Sequence, residues 1–252
     1  HSGLCTSAYR RSVDDLRTSL NRDGHRCSVI GLGNESLINR ARNTIAWHFL
    51  QSDADYLLMV DSDIGFRVAD IARMIGAKKP IIVAPVPLKT INWVRVAKAV
   101  RAGVAIDELP KFTGTFNIVH LDGSMRVKSS EPFEIKHGGT GCMLIARGVF
   151  EALKPHVALY RNRCPGDAMP LEAKVHEFFP TYVRDEDLLS EDYGFCEAWR
   201  GIGGKVWAAP WCEIKHMGTY AFCGSYKDIF ADDVDLPLSD PAESGDTNVK
   251  AA

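Results

Sequence analysis

No apolar run in this sequence approaches the roughly 20 residues needed to span a bilayer, and no signal peptide is visible at its start. No Cys-x-x-Cys pair occurs. The seven cysteines, Cys5, Cys27, Cys142, Cys164, Cys196, Cys212 and Cys223, are odd in number and scattered, which predicts reduced core thiols, not a disulfide framework. An excess of one charge is also missing: the formal net charge is −2, so nothing calls for a nucleic-acid partner or an anionic membrane surface. Residue 1 is His, not Met, and further residues are expected before it. These absences together predict a cytoplasmic protein with no membrane span and no strong nucleic-acid signature. What is present, 252 residues of which 46% are hydrophobic and 25% charged, suits one large α/β domain or two small ones with a substantial core.

The stretch Tyr56-Leu57-Leu58-Met59-Val60-Asp61-Ser62-Asp63 organises the chain. Its unbroken apolar run predicts a strand buried on both faces of a parallel sheet. Ligands bind beyond the carboxyl ends of such strands, where Asp61 and Asp63 emerge. Residues two apart in a strand point the same way, so both carboxylates can face one hard cation, Mg2+ or Mn2+. An Asp-Ser-Asp turn closing the strand is the plainer account.

Upstream, Tyr9, Val13, Leu16 and Leu20 predict a helix over 6–20. Residues 26–32 read as a short strand, followed by a glycine turn and Ser36 as a helix N-cap. The stripe Leu37, Ala41, Ile45 and Phe49 predicts a helix over 37–50. Arg42 borders that stripe, either spreading its stem along the core edge or reaching a phosphate. Beyond Asp63 a helix over 68–75 and a strand over 81–84 follow, the strand ended by Pro85 and Pro87. Lys89 comes next, either solvated or touching a diphosphate or sugar. Residues 92–103 predict an amphipathic helix with Trp93, Val96 and Val100 inward, and 112–135 two strands around Asp122-Gly123.

His137-Gly138-Gly139-Thr140-Gly141 leads into an apolar strand over 142–146 and a helix over 147–153. Its glycines make a tight turn or let a ligand approach the backbone closely. Residues 160–187 carry little pattern and read as a long acceptor-binding loop. Ser190 is placed to cap a helix whose first turn holds Glu191 and Asp192. The helix dipole explains both acids without chemistry, although Asp192 shares the inward face of Phe195 and Cys196. A strand over 208–215 ends at His216, which is either structural or a metal ligand. The acidic tail 231–252 has little to bury and is expected to be disordered or loosely attached.

Arg40-Ala41-Arg42-Asn43, an apolar helix, and Asp53-Ala54-Asp55 leading into the Asp61-Ser62-Asp63 strand resemble the nucleotide-binding half of GT-A-fold glycosyltransferases. Glu191-Asp192, followed by an apolar helix and Gly201-Ile202-Gly203-Gly204, is similar to the Glu-Asp pair of the inverting members. The resemblance implies an α/β fold, a Rossmann-like three-layer α/β/α sandwich with a mostly parallel mixed sheet. It would cover residues 1–230, with a nucleotide-binding half of about 1–90 and an acceptor-binding half of about 91–230. It further implies metal-dependent transfer of a sugar from a UDP- or GDP-sugar to an unidentified acceptor.

In that reading Asp61, Asp63 and His216 hold Mn2+ or Mg2+. Arg42, Asn43, Asp61, Ser62, Asp63, Lys89, Gly138 and Gly139 serve the donor. Asp192, with Glu191 beside it, becomes the general base of an inverting reaction; in a retaining reaction the pair only positions substrates. One departure stands out. The family's first strand normally precedes a helix like 6–20, and only five residues stand there, so that strand lies upstream or the base is held differently. Two rival readings remain. Asp-x-Asp after an apolar strand also resembles haloacid-dehalogenase phosphatases, with Asp61 as nucleophile and Asp63 as acid, although that motif normally lies on the first strand. The other rival is a non-catalytic nucleotide-sugar binder.

Overall fold

The computed structural model describes residues 4–33, 35–121, 126–163, 169–170, 172–227 and 231. In chain order the elements are α1 (Ser7–Arg22), α2 (Ile38–Leu50), β1 (Tyr56–Val60), β2 (Ile64–Gly65), α3 (Val68–Gly76), β3 (Ile81–Val83) and α4 (Trp93–Arg101). There follow β4 (Ile118–His120), β5 (Phe133–Gly138), β6 (Cys142–Ala146), α5 (Arg147–Leu153), β7 (Leu159–Arg161), β8 (Lys174–His176), β9 (Tyr182–Arg184) and β10 (Asp187–Leu189). Last come α6 (Glu191–Gly201), β11 (Val206–Ala208), β12 (Glu213–Met217) and β13 (Ala221–Ser225).

Six strands form the central sheet in the order β1-β6-β3-β11-β5-β4. The period-2 alternation of strands sends successive side chains to two separate cores. Leu57 and Met59 of β1, with Ile81, Val83, Met143 and Ile145, pack against Phe49 of α2, Phe150 of α5 and Phe195 of α6. On the opposite face Ile82 and Leu144, with Leu58 and Val60 partly buried beside them, meet Leu16 of α1 and Ile71 and Met74 of α3. Helices therefore cover both faces of a mixed sheet. A smaller sheet, β13-β12-β2, is built onto the end of β1, and residues on either side of position 90 contribute to both sheets.

Several expectations need correction. The sheet is not mostly parallel: only β3 and β11 run parallel, and every other neighbouring pair is antiparallel. β1 is not a central strand buried on both faces. It lies at the sheet edge, paired among the described residues only with β6, and of its five residues Leu57 and Met59 are the buried ones. Residues 26–32 form no strand; Val29 and Ile30 are exposed, and no ladder bonds reach this segment among the described residues. Leu4 and Cys5 likewise supply no first strand, and 1–3 lie outside the described residues.

In α4 the inward residues are Arg95 and Ala99, while Trp93 is 68% and Val100 55% exposed. Arg95 turns inward because its guanidinium donates to the Gly114 carbonyl. Residues 160–187 are not a structureless loop but contain two hairpins, β7–β8 and β9–β10. The Asp122-Gly123 turn lies outside the described residues, although the flanking β4 and β5 do pair antiparallel. Of the tail, only Ala231 is described; it is buried and bridges Val127.

Candidate functional site

β1 ends at Val60, and the Asp61 amide then bonds the Gly141 carbonyl (3.1 Å) while Ala84 bonds Cys142 (2.9 Å). The ends of β1 and β3 and the start of β6 are thereby locked side by side. Residues 61–64 form a turn, with Ile64 N–H donating to Asp61 O (3.0 Å). The Asp-Ser-Asp segment is a turn in this fold, and its carboxylates are directed by two different sets of partners.

Asp61 belongs to the first set. Arg42, 7% exposed, reaches Asp61 Oδ1 with Nη2 (3.1 Å) and Glu191 Oε1 with Nε (3.0 Å). Burial alone lowers the pKa of Arg42, yet the charges of Asp61 and Glu191 outweigh it and raise it. The guanidinium fork thus fastens the start of α6 to the end of β1. Asp61 Oδ2 has no hydrogen-bond partner among the described residues and lies 3.5 Å from where a Cβ on Gly141 would be.

Asp63 belongs to the second. Pro85 and Pro87 end β3, Leu88 N–H bonds Thr115 O (2.6 Å), and Lys89 Nζ then meets Asp63 Oδ2 at 2.6 Å. β12 pairs with β2 so that His216 stands opposite Ile64, and Met217 N–H bonds Asp63 O (2.8 Å). His216 Nε2 comes within 3.5 Å of Asp63 Oδ2. His216 and Lys89 hold the Asp63 carboxyl down at about 2, against the opposing effect of burial. His216 Nδ1 is 2.7 Å from Pro87 O, a carbonyl that only accepts, so Nδ1–H donates there and holds the ring with Nε2 toward the carboxylate. Such an oxygen–nitrogen donor pair, oriented from behind by a backbone carbonyl, suits a first-row divalent cation. Among the described residues no group of three His, Cys, Asp or Glu side chains is already gathered; Asp63 and His216 are together, and Asp61 faces Arg42.

The third part is Asp192, 8% exposed in the first turn of α6. Ser190 stands at the N-cap but makes no side-chain cap bond. Its hydroxyl donates to Asp192 Oδ1, as does the Tyr193 N–H (2.9 Å). Oδ2 has no partner among the described residues and lies 3.5 Å from a Cβ built on Gly139. Positions 139 and 141 thus sit beside Asp192 and Asp61 respectively. Both glycines lie in the turn between β5 and β6, and there is no room for a side chain at either: the Asn117 amide lies 2.5 Å from a Cβ on Gly139, and Val86 lies 3.3 Å from one on Gly141.

The remaining expected residues are placed elsewhere. Asn43 is buried and accepts from Phe179 N–H (2.9 Å), holding the segment before β9. Gly138 faces the core, where a Cβ would stand 3.0 Å from Val83 and Ile135. Ser62 is exposed, and its carbonyl accepts from Thr6 N–H (2.9 Å) at the start of α1. Ser190, Tyr193, Gly141 and Asn117 were missed as site residues by sequence reasoning. Tyr193 was marked by its place after the Glu-Asp pair; Asn117 carried no periodicity or motif.

No protein-family model matches this chain, and no curated protein does. Among the solved structures that match, A197 from STIV aligns over 86% of this chain and 82% of that one, at 13% identity and a TM-score of 0.46.

Proposed function

We propose that this chain is a GT-A-like, metal-dependent glycosyltransferase that moves a sugar from a nucleoside-diphosphate sugar to a hydroxyl acceptor, with inversion. The observation that carries the reading is the glycine turn 139–141, which places Asp192 beside one end and Asp61 beside the other. Carboxylate oxygens without hydrogen-bond partners among the described residues lie beside its two ends, and the Asp63–His216 pair follows Asp61 in the turn after β1.

Asp63 and His216, with the free oxygen of Asp61, would hold Mn2+ or Mg2+. The ion would neutralise the leaving diphosphate. Lys89 supplies a second cation on the same side of the site. Arg42 would serve the donor site by keeping Asp61 and Glu191 in place. Glu191 positions the first turn of α6, and Asp192 Oδ2 is the general base that takes the acceptor proton.

Thermal-shift screening against UDP-, GDP- and dTDP-sugars with Mn2+ tests the reading. One donor at 100 times its Kd should stabilise the protein by about 2.7 kcal/mol. No shift with any of them, together with phosphate release from generic phosphoesters, would favour a phosphatase instead.

A further inference from the structure

Asn117, immediately before β4, is pinned by its backbone on both sides. Its N–H donates to Val86 O (3.2 Å), and its carbonyl accepts from Gly139 N–H (3.2 Å). Its side chain is oriented as firmly. Tyr193 O–H donates to Asn117 Oδ1 (2.7 Å), which turns the amide NH2 the other way. Burial raises the Tyr193 pKa to about 12, so the phenol keeps the proton that it donates. The Tyr193 ring stacks on His137 (centroids 4.7 Å apart), and His137 Nε2 meets Glu197, whose other oxygen takes Arg184 (2.8 Å).

The NH2 of Asn117 has no hydrogen-bond partner among the described residues. It lies 2.5 Å from the point where a Cβ on Gly139 would stand, and Asp192 Oδ2 lies 3.5 Å from that same point. A donor and an acceptor, each without a partner among the described residues, therefore flank the same point beside the Gly139 backbone. A hydroxyl is the group that satisfies both, giving its one proton and accepting on a lone pair.

We infer that Asn117 holds the acceptor's hydroxyl oxygen while Asp192 takes its proton, and that Tyr193 is the positioning residue that turns the Asn117 amide toward it. This rests on the sugar-transfer reading above. In the step, the hydroxyl proton moves to Asp192 Oδ2 and the oxygen's electron pair forms the bond to C1 of the donor sugar. The C1–O bond to the diphosphate breaks, and its electron pair leaves on the nucleoside diphosphate. The neutral amide donor meets the negative charge that grows on the oxygen as its proton departs. It does so without the charge of a lysine, which would depress the basicity of Asp192.

Nucleoside diphosphate release from UDP-glucose, UDP-N-acetylglucosamine and GDP-mannose with Mn2+ is to be measured in water and with added methyl glycosides. Donor Kd is to be measured separately by calorimetry. Asn117→Ala should lower kcat/KM for the hydroxyl acceptor by about 10²-fold, the scale for one lost oxyanion donor, with donor Kd within twofold of wild type. Tyr193→Phe, which removes one oxygen and leaves the stacking, should give a smaller loss of the same kind. The double variant should be no worse than Asn117→Ala alone, because Tyr193 acts through Asn117. Full activity in Asn117→Ala, additive losses in the double variant, or a loss confined to donor Kd would each overturn the assignment. Should Asn117→Ala fail to fold, an unchanged Tyr193→Phe would overturn it equally. Failure of the sugar-transfer reading itself would show in the wild type, as no donor binding and no diphosphate release, and this assignment would fall with it.

Discussion

Arg42 shows how a single side chain ties the site together. Its stem runs along a helix edge, but its head group is committed to Asp61 and Glu191, the second of these only 9% exposed. Removing one partner of a buried ion pair leaves the other charge desolvated, which costs about 3–5 kcal/mol. Arg42→Met should therefore destabilise the protein by that amount in urea unfolding, and adding Glu191→Gln should restore a large part of it. A loss no greater than that of an exposed pair, about 1 kcal/mol or less, would show that the clamp is not closed in solution. Asp192→Asn makes a contrasting case. Its Oδ1 bonds survive substitution by an amide oxygen, so donor binding should persist while transfer falls by about 10²-fold or more. Transfer at the normal rate would reduce Asp192 to a partner of the helix dipole. The acids were legible in the sequence because they sit at element ends, where charge is either a cap or chemistry. Asn117 was not, since its role comes from Val86, Gly139 and Tyr193, which are distant in sequence.

Among the elements, helices α1 and α3 were legible from apolar spacing because each buries a stripe against the sheet, and α6 from its capping residue and first-turn acids. Helix α2 exists as expected, but of the stripe Leu37, Ala41, Ile45 and Phe49 only Phe49 is fully buried, and Arg42, Asn43, Thr44 and Ala46 turn inward. The failures have identifiable causes. In α4 the apolar residues face outward because Arg95 finds an internal carbonyl at Gly114, a partner that periodicity cannot reveal. The β9–β10 hairpin is hidden in the sequence because its two-residue turn, Asp185-Glu186, lacks the usual Asn-Gly signature. Both residues are left-handed, with φ of 53° and 69°, as that hairpin geometry demands. A non-glycine residue there costs roughly 1–2 kcal/mol. Glu186→Gly should accordingly raise the urea midpoint, by about 1 kcal/mol in stability. An unchanged or lower midpoint would mean the turn is not held in that conformation.

At the scale of the whole molecule, α/β character and two cores were legible, but the pairing of strands was not. β1 carries the apolar run of a central strand yet occupies an edge, because side-chain pattern reports which faces are covered and not which edges are paired. Stability toward acid is also a property of the assembled sheet and helices. Glu197 on α6 is held at about 2 by Arg184 of β9 and by His137 of β5, against an ordinary value of 4.5. Its contribution is full above about pH 4.5 and is lost as pH falls toward 2. Burial lowers the pKa of His137 below 6.5, so protonation from that pH downward also favours unfolding. Stability should thus begin to fall below about pH 6.5 and fall again below about pH 4.5, where the gap between wild type and Glu197→Gln should shrink. A gap of constant size would exclude Glu197 as the group responsible.

The central claim is that the end of β1 presents a metal-dependent donor site, and calorimetric titration of the best nucleotide-sugar with and without Mn2+ tests it most directly. The wild type should bind with Mn2+ and lose at least tenfold in affinity, about 1.4 kcal/mol, when the metal is removed with EDTA. Asp63→Ala, folded as judged by circular dichroism, should bind with Mn2+ no better than the wild type does without it. Equal affinity in all three cases would contradict the account.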